Sequence, residues 1–142
     1  MFDSLAGELQ HVEVEGTLAW QAIVDSTAPL TAPHGVRLLP YFDAYAVGCH
    51  PRELLFPGRA AARALTPSGQ AGNFPVLLSD GVVAGIWHQR RSGRKLDIIV
   101  EPFTRLTATQ RRELDAQVER IGEFLEGTPQ LTIGSVTVGG HA

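Results

Sequence analysis

Four cations fall within six residues of this 142-residue chain: Arg90, Arg91, Arg94 and Lys95. His88 and Gln89 stand just before them and add hydrogen-bond donors. An arginine presents a planar fork of N–H groups that matches phosphate oxygens two at a time, whereas lysine brings a compact point charge. The chemistry on offer is anion recognition, phosphate above all. If these residues end a two-stranded ribbon, the ribbon is narrow enough to enter a DNA groove. A plainer account competes: charges at a hairpin end keep sheet edges soluble and block strand addition. The residues alone leave both accounts standing.

Other reactive residue types are present without the company that reactions need. Cys49 and His50 are adjacent, so their side chains need not face each other, and no Asn or Asp is evidently placed to orient the pair. A thiol at least partly buried is the preferred reading. The histidines, at 11, 34, 50, 88 and 141, show no metal-ligand spacing. Ser68-Gly69 lies in a glycine-rich loop that lacks the lysine of a phosphate-binding loop, so turn formation explains the glycines. Asp43 sits between Phe42 and Tyr45, where a carboxyl could have a raised pKa; capping a local turn is preferred, since no second carboxylate or base is placed with it. We assign no catalytic residue, no metal ligand and no cofactor.

The elements that hold the cations come from Asn73 to Val100. Asn73–Ser79, Val82–Arg90 and Lys95–Val100 read as a three-strand meander. Asp80-Gly81 is a strong two-residue hairpin signal, because both positions of a type I′ turn need positive φ. The second turn, Arg91-Ser92-Gly93-Arg94, carries the charged tip, which is expected to stand in water. Upstream, His11–Glu15 and Thr17–Ile23 read as another hairpin, with Val12, Val14, Leu18, Trp20 and Ala22 expected on one face. Residues 1–10 suggest a short helix or the tail of an upstream element, and Ser26–Gly35 a loop. Val36–Pro40 is a short strand, the segment around Arg52 holds one helical turn, and Arg59–Leu65 is a short helix. Thr107-Ala-Thr-Gln110 forms a capping box that opens a helix over Ala108–Glu126, with Leu114, Val118, Ile121 and Leu125 on one face and Gly127 as its stop. Residues 128–142 supply an extra strand or a tail. The expected fold is mainly β (α+β): one domain with a curved antiparallel sheet or partly open barrel and one long C-terminal amphipathic helix.

A chain of this length buries roughly two-thirds of its unfolded surface without a staple. One cysteine excludes an internal disulfide and suits a reducing compartment. No apolar run is long enough to cross a bilayer and the N-terminus has no secretory pattern, so no membrane partner is expected and the cytoplasm is the default location. The net charge of −3 is unusual for a freestanding nucleic-acid binder. Its distribution matters more: no Lys or Arg precedes Arg37, positive charge is concentrated at the tip with a thinner scatter that includes Arg52, Arg59 and Arg63, and the last third is mostly acidic.

Several phrases, in order, resemble one family. They are Val12-Glu-Val-Glu-Gly16 with Trp20 and Asp25; Val36 to Gly48; Leu54-Leu-Phe-Pro57; Pro75 to Trp87; Glu101-Pro-Phe103 with Leu106-Thr107; and the helix ending Phe124-Leu-Glu-Gly127. The set resembles the C-terminal portion of the winged-helix DNA glycosylases of AlkZ/YcaQ type, which unhook bulky alkyl lesions and interstrand crosslinks. Ala44 stands where the family usually has proline, and the tail from Thr128 has no counterpart. The resemblance implies a small barrel-like domain that presents a hairpin to double-stranded DNA beside winged-helix domains outside this chain. It implies phosphate contacts for Arg90, Arg91, Arg94 and Lys95, and base-edge or lesion contacts for His88 and Gln89. The family's catalytic motif, glutamine, an apolar residue, then glutamine or aspartate, is absent. The nearest string, Gln117-Val118-Glu119, lies inside the capped helix. Two other roles remain open: a protein-interaction module, or a small-molecule barrel lined by Trp20, Tyr41, Phe42 and Tyr45.

Overall fold

The computed structural model describes residues 7–14, 16–23 and 31–139. The chain divides into two compact units, Met1–Ala32 and Pro33–Ala142.

The first unit is a β-hairpin of β1 (Leu9–Val14) and β2 (Thr17–Ala22), paired antiparallel with Val14 opposite Thr17. Leu9 and Gln10 are strand, not helix; residues 1–6 lie outside the described residues. The register corrects the expected face. Val12 pairs with Ala19, while His11 pairs with Trp20 and Glu13 with Leu18. Partners share a face in a pleated ladder, so Val12 and Val14 lie opposite to Leu18, Trp20 and Ala22. The His11 and Trp20 rings meet with centroids 3.7 Å apart. Asp25 and the first half of the Ser26–Gly35 segment lie outside the described residues.

The second unit is built on a five-stranded sheet: β3 (Val36–Leu39), β4 (Val76–Ser79), β5 (Val82–Ser92), β6 (Lys95–Pro102) and β7 (Thr128–Ile133), in that spatial order. The first four pair antiparallel and β7 joins β6 in parallel. The meander stands as expected. Asp80 and Gly81 both adopt positive φ, 50° and 88°, as the type I′ turn demands. The sheet stays open and does not close into a barrel.

Helices cover both faces. Over one lie α1 (Ala44–Gly48), α2 (Arg52–Leu55) and α3 (Arg59–Ala64), burying Ala46, Leu55, Phe56, Ala60 and Ala64 against Val76, Leu78, Val83 and Ile86. Over the other lies α4 (Ala108–Phe124), whose Leu114 and Val118 pack on Val36, Leu77, Trp87, Ile98 and Val100. Val83 and Ile86 reach the same core although strict alternation would separate them. A bulge resolves this: Leu77 pairs with Gly85 but Leu78 with Val83, so Ala84 is the extra residue and the parity of β5 reverses there.

Short polar ties set the layers. Asp43 caps α1 by accepting from the Tyr45 N–H at 2.9 Å, so its role is the expected turn cap. The Tyr45 hydroxyl donates to the Gly81 carbonyl at 2.7 Å, tying α1 to the first hairpin turn. Thr107 and Gln110 form both bonds of the capping box, and the Gln110 amide also donates to the Ser79 hydroxyl at 2.9 Å. Arg63 makes a two-pronged pair with Glu101, 3.0 Å on each side, and donates to the Val136 carbonyl. Glu101 accepts from the Val136 N–H at 2.8 Å. The carboxylate thus clasps α3, β6 and the segment after β7. Burial works to raise its pKa, but Arg63, the Val136 N–H and the nearby Arg59 charge outweigh burial and hold it below the usual glutamate value.

Candidate functional site

The cationic end of the meander is a tight hairpin. Ser92 pairs with Lys95, leaving Gly93-Arg94 as a two-residue turn with Gly93 at φ 60°. Glycine at the first central position is what a type II′ turn requires. The turn is one step later and shorter than the expected four-residue loop, because β5 runs on to Ser92.

The six residues singled out in the sequence gather at this end but do not form one patch. Gln89 pairs with Ile98 and Arg91 with Leu96, which places both on the α4 face. His88, Arg90 and Lys95 lie on the opposite face, with Arg90 directly across from Asp97. Their partners differ as well. The Arg91 guanidinium donates from Nε to the Gly93 carbonyl and from Nη1 to the Leu125 carbonyl, 2.9 Å each. Lys95 Nζ lies 2.9 Å from Asp97 Oδ1, but both side chains are about half in water, 56% and 41% exposed. Such a pair is worth little and yields readily to a competing phosphate. Arg90 and Arg94 are exposed, and neither has a side-chain hydrogen bond or ion pair among the described residues.

The tip does not stand away from the body. β7 runs beside β6 from Thr128, opposite Lys95, and the Thr128 N–H donates to the Arg94 carbonyl at 2.6 Å. The end of α4 closes over the same spot. The Glu126 N–H bonds the Glu123 carbonyl and the Gly127 N–H bonds the Gly122 carbonyl, which is a Schellman motif. Glu126, not Gly127, takes the left-handed conformation, φ 50°. Gly127 is required for another reason: a Cβ there would come within 2.6 Å of the Leu96 side chain. On its outer side β5 loses its neighbour, since β4 stops at Val76, opposite Ile86.

Elsewhere several arginines are engaged, while Arg105 and Arg120 have no side-chain hydrogen bond or ion pair among the described residues. Arg52 reaches the carbonyls of Ala46, Val47 and Cys49 at 2.8–2.9 Å and closes the C-terminus of α1. Arg59 lies over the Phe103 ring, 5.8 Å from its centroid. The Cys49 sulfur is half-buried, 3.9 Å from the Pro51 carbonyl. Among the described residues no three His, Cys, Asp or Glu side chains gather as a metal site would need; His141 lies outside them. No helix among the described residues is long and apolar enough to cross a membrane.

Beside the tip, periodicity gave no warning of a groove of about 320 Å³ between α4 and the outer side of β5. Leu38, Pro40, Trp87 and Ile121 make its apolar lining, and Phe124 stands at it with 87% of its surface in water. Gln89, Gln117 and Arg120 are its polar lining. The available signal was Phe124 itself, a large apolar residue off the Leu114–Val118–Ile121–Leu125 stripe.

A family model described as DNA glycosylase AlkZ-like matches residues 1–124. The chain belongs to the AlkZ-like DNA glycosylase family. Among solved structures, the DNA glycosylase AlkZ of Streptomyces sahachiroi superposes with a TM-score of 0.68 at 25% identity, covering 94% of this chain. The match takes in only 35% of the Streptomyces chain, so this AlkZ-like chain spans about a third of that relative. No curated protein matches the sequence. In this AlkZ-like chain the string Gln117-Val118-Glu119 is helical, and Val118 is core, as the capped helix implied.

Proposed function

We propose that this chain binds double-stranded DNA through the end of the β5–β6 hairpin, as an accessory domain of a winged-helix DNA glycosylase that repairs alkylated or crosslinked bases. Base removal itself belongs to winged-helix domains supplied from outside this chain, and a cytoplasmic setting goes with that work. Arg90, Arg94 and Lys95 contact phosphates. Arg91 braces the hairpin against α4 and keeps Nη2 for a phosphate. His88 and Gln89, one on each face of the ribbon, reach toward base edges. The observation that carries the reading is the absence of side-chain partners for Arg90 and Arg94 among the described residues, at the hairpin end of an AlkZ-like chain.

The test is duplex binding across a salt series, comparing wild type with a variant carrying Arg90→Ala, Arg94→Ala and Lys95→Ala. Each phosphate that the variant no longer neutralises reduces the slope of log K against log salt by about 0.9. The variant should bind more weakly and with a shallower slope. Superimposable curves would remove the tip from the interface.

A further inference from the structure

We propose that the groove beside the hairpin takes a single unstacked nucleobase of the bound DNA; this rests on the reading of the chain as a DNA-binding domain and names what its neighbouring cleft holds. The occupant is argued from four observations. First, the groove measures about 320 Å³, at the small end of ligand sites, which suits one ring system. Second, Phe124 offers a ring to water beside an otherwise apolar lining, and base-on-aromatic stacking is the interaction such a surface makes without regard to sequence. Third, the polar lining mixes donors and acceptors as base edges do. The Gln89 and Gln117 amides each carry both, and neither has a hydrogen-bond partner among the described residues. The sole charged lining residue, Arg120, is a cation, which suits the phosphate that follows an extruded base.

Fourth, the groove is continuous with the tip. Gln89 belongs to both, and Leu125, whose carbonyl Arg91 holds, also lines the groove. Gln89 and Arg91 share the α4 face with the groove, so a duplex held through Arg91 Nη2 passes the groove's edge. A base released from the stack by damage or mispairing costs least to extrude, which would turn the groove into a sensor of distorted DNA.

The experiment uses the full chain and three labelled duplexes of one sequence: fully paired, with one unpaired nucleotide, and with an abasic residue at that unpaired position. Wild type should bind the base-bearing bulge about 5- to 150-fold more tightly than either of the others, the range that one stacked base supplies. Phe124→Ala should abolish the preference and leave affinity for the paired duplex unchanged, while Phe124→Tyr should retain it. Because Phe124 lies largely in water, the alanine variant should melt as wild type does, and thermal denaturation checks this. An equal affinity for the abasic bulge, or a preference that survives Phe124→Ala, overturns the groove proposal while leaving duplex binding by the tip intact. Self-association of wild type in sedimentation that Phe124→Ala abolishes would identify the groove as a protein interface and overturn it equally. Failure of wild type to bind any duplex removes the DNA-binding reading and the groove proposal together.

Discussion

Two guanidinium bonds separate Arg91 from its neighbours in kind. A cation on the last carbonyls of a helix interacts favourably with the helix dipole, by about 0.3–1 kcal/mol at an exposed site. Arg91→Ala should therefore lower stability by about that much, and Arg90→Ala and Arg94→Ala should leave it unchanged; urea denaturation of the three single variants distinguishes them. Glu101 gives the acid-side prediction. Its folded pKa lies below the ordinary value, so its contribution is complete above the unfolded glutamate pKa, about 4.3. That contribution fades as pH falls through the depressed folded value. Urea midpoints of wild type and Glu101→Gln should differ most at pH 6 and converge as pH approaches 3. A gap independent of pH would deny the carboxylate this role. At this scale the cluster of cations was legible in the sequence and its division was not. The pleat assigns Gln89 and Arg91 to one face and His88 and Arg90 to the other only once β5 is known to continue through Ser92. The partner of Arg91 lies 34 positions along the chain, at the end of a helix whose return beside β6 no local pattern announces.

Among the elements, local signals with a hydrogen-bond mechanism were read correctly. Asp80-Gly81 and the Thr107/Gln110 box each specify their own geometry. Where a tertiary neighbour decides, the local rule failed. Gly127 looked like the left-handed stop of α4, yet its missing side chain makes room for Leu96, and Glu126 bears the positive φ. The extra strand expected from Thr128 is present as β7, but its parallel pairing depends on the Schellman turn delivering Thr128 to the Arg94 carbonyl. The family's usual proline at position 44 now has a physical meaning. Ala44 is the first residue of α1, directly after the capping Asp43. Proline is favoured there because its missing N–H belongs to the unsatisfied first turn, and Asp43 at φ −56°, ψ 133° already has the extended backbone that a following proline needs. Ala44→Pro should stabilise by about 0.4–1 kcal/mol through loss of unfolded-state freedom, a rise of roughly 1–4 °C in Tm by calorimetry. A fall would mean that the first turn of α1 cannot accept the ring.

For the molecule as a whole, the division into Met1–Ala32 and Pro33–Ala142 has a thermodynamic corollary. The second unit contains both apolar cores and all five strands of the larger sheet. A lone two-stranded hairpin, by contrast, is marginal in water. Residues 33–142 expressed alone should unfold cooperatively, and a peptide of residues 1–32 should show no cooperative transition; circular dichroism melts of the two pieces decide. The open flank of β5 carries one more implication. The Trp87 N–H points outward to the Pro75 carbonyl, so in an unbroken ladder the N–H groups of Gln89 and Arg91 point the same way, beyond Val76, where β4 begins. A foreign strand seeking to extend the array would find two donors flanked by guanidinium groups, too brief and too repulsive a seam for one molecule to template the next.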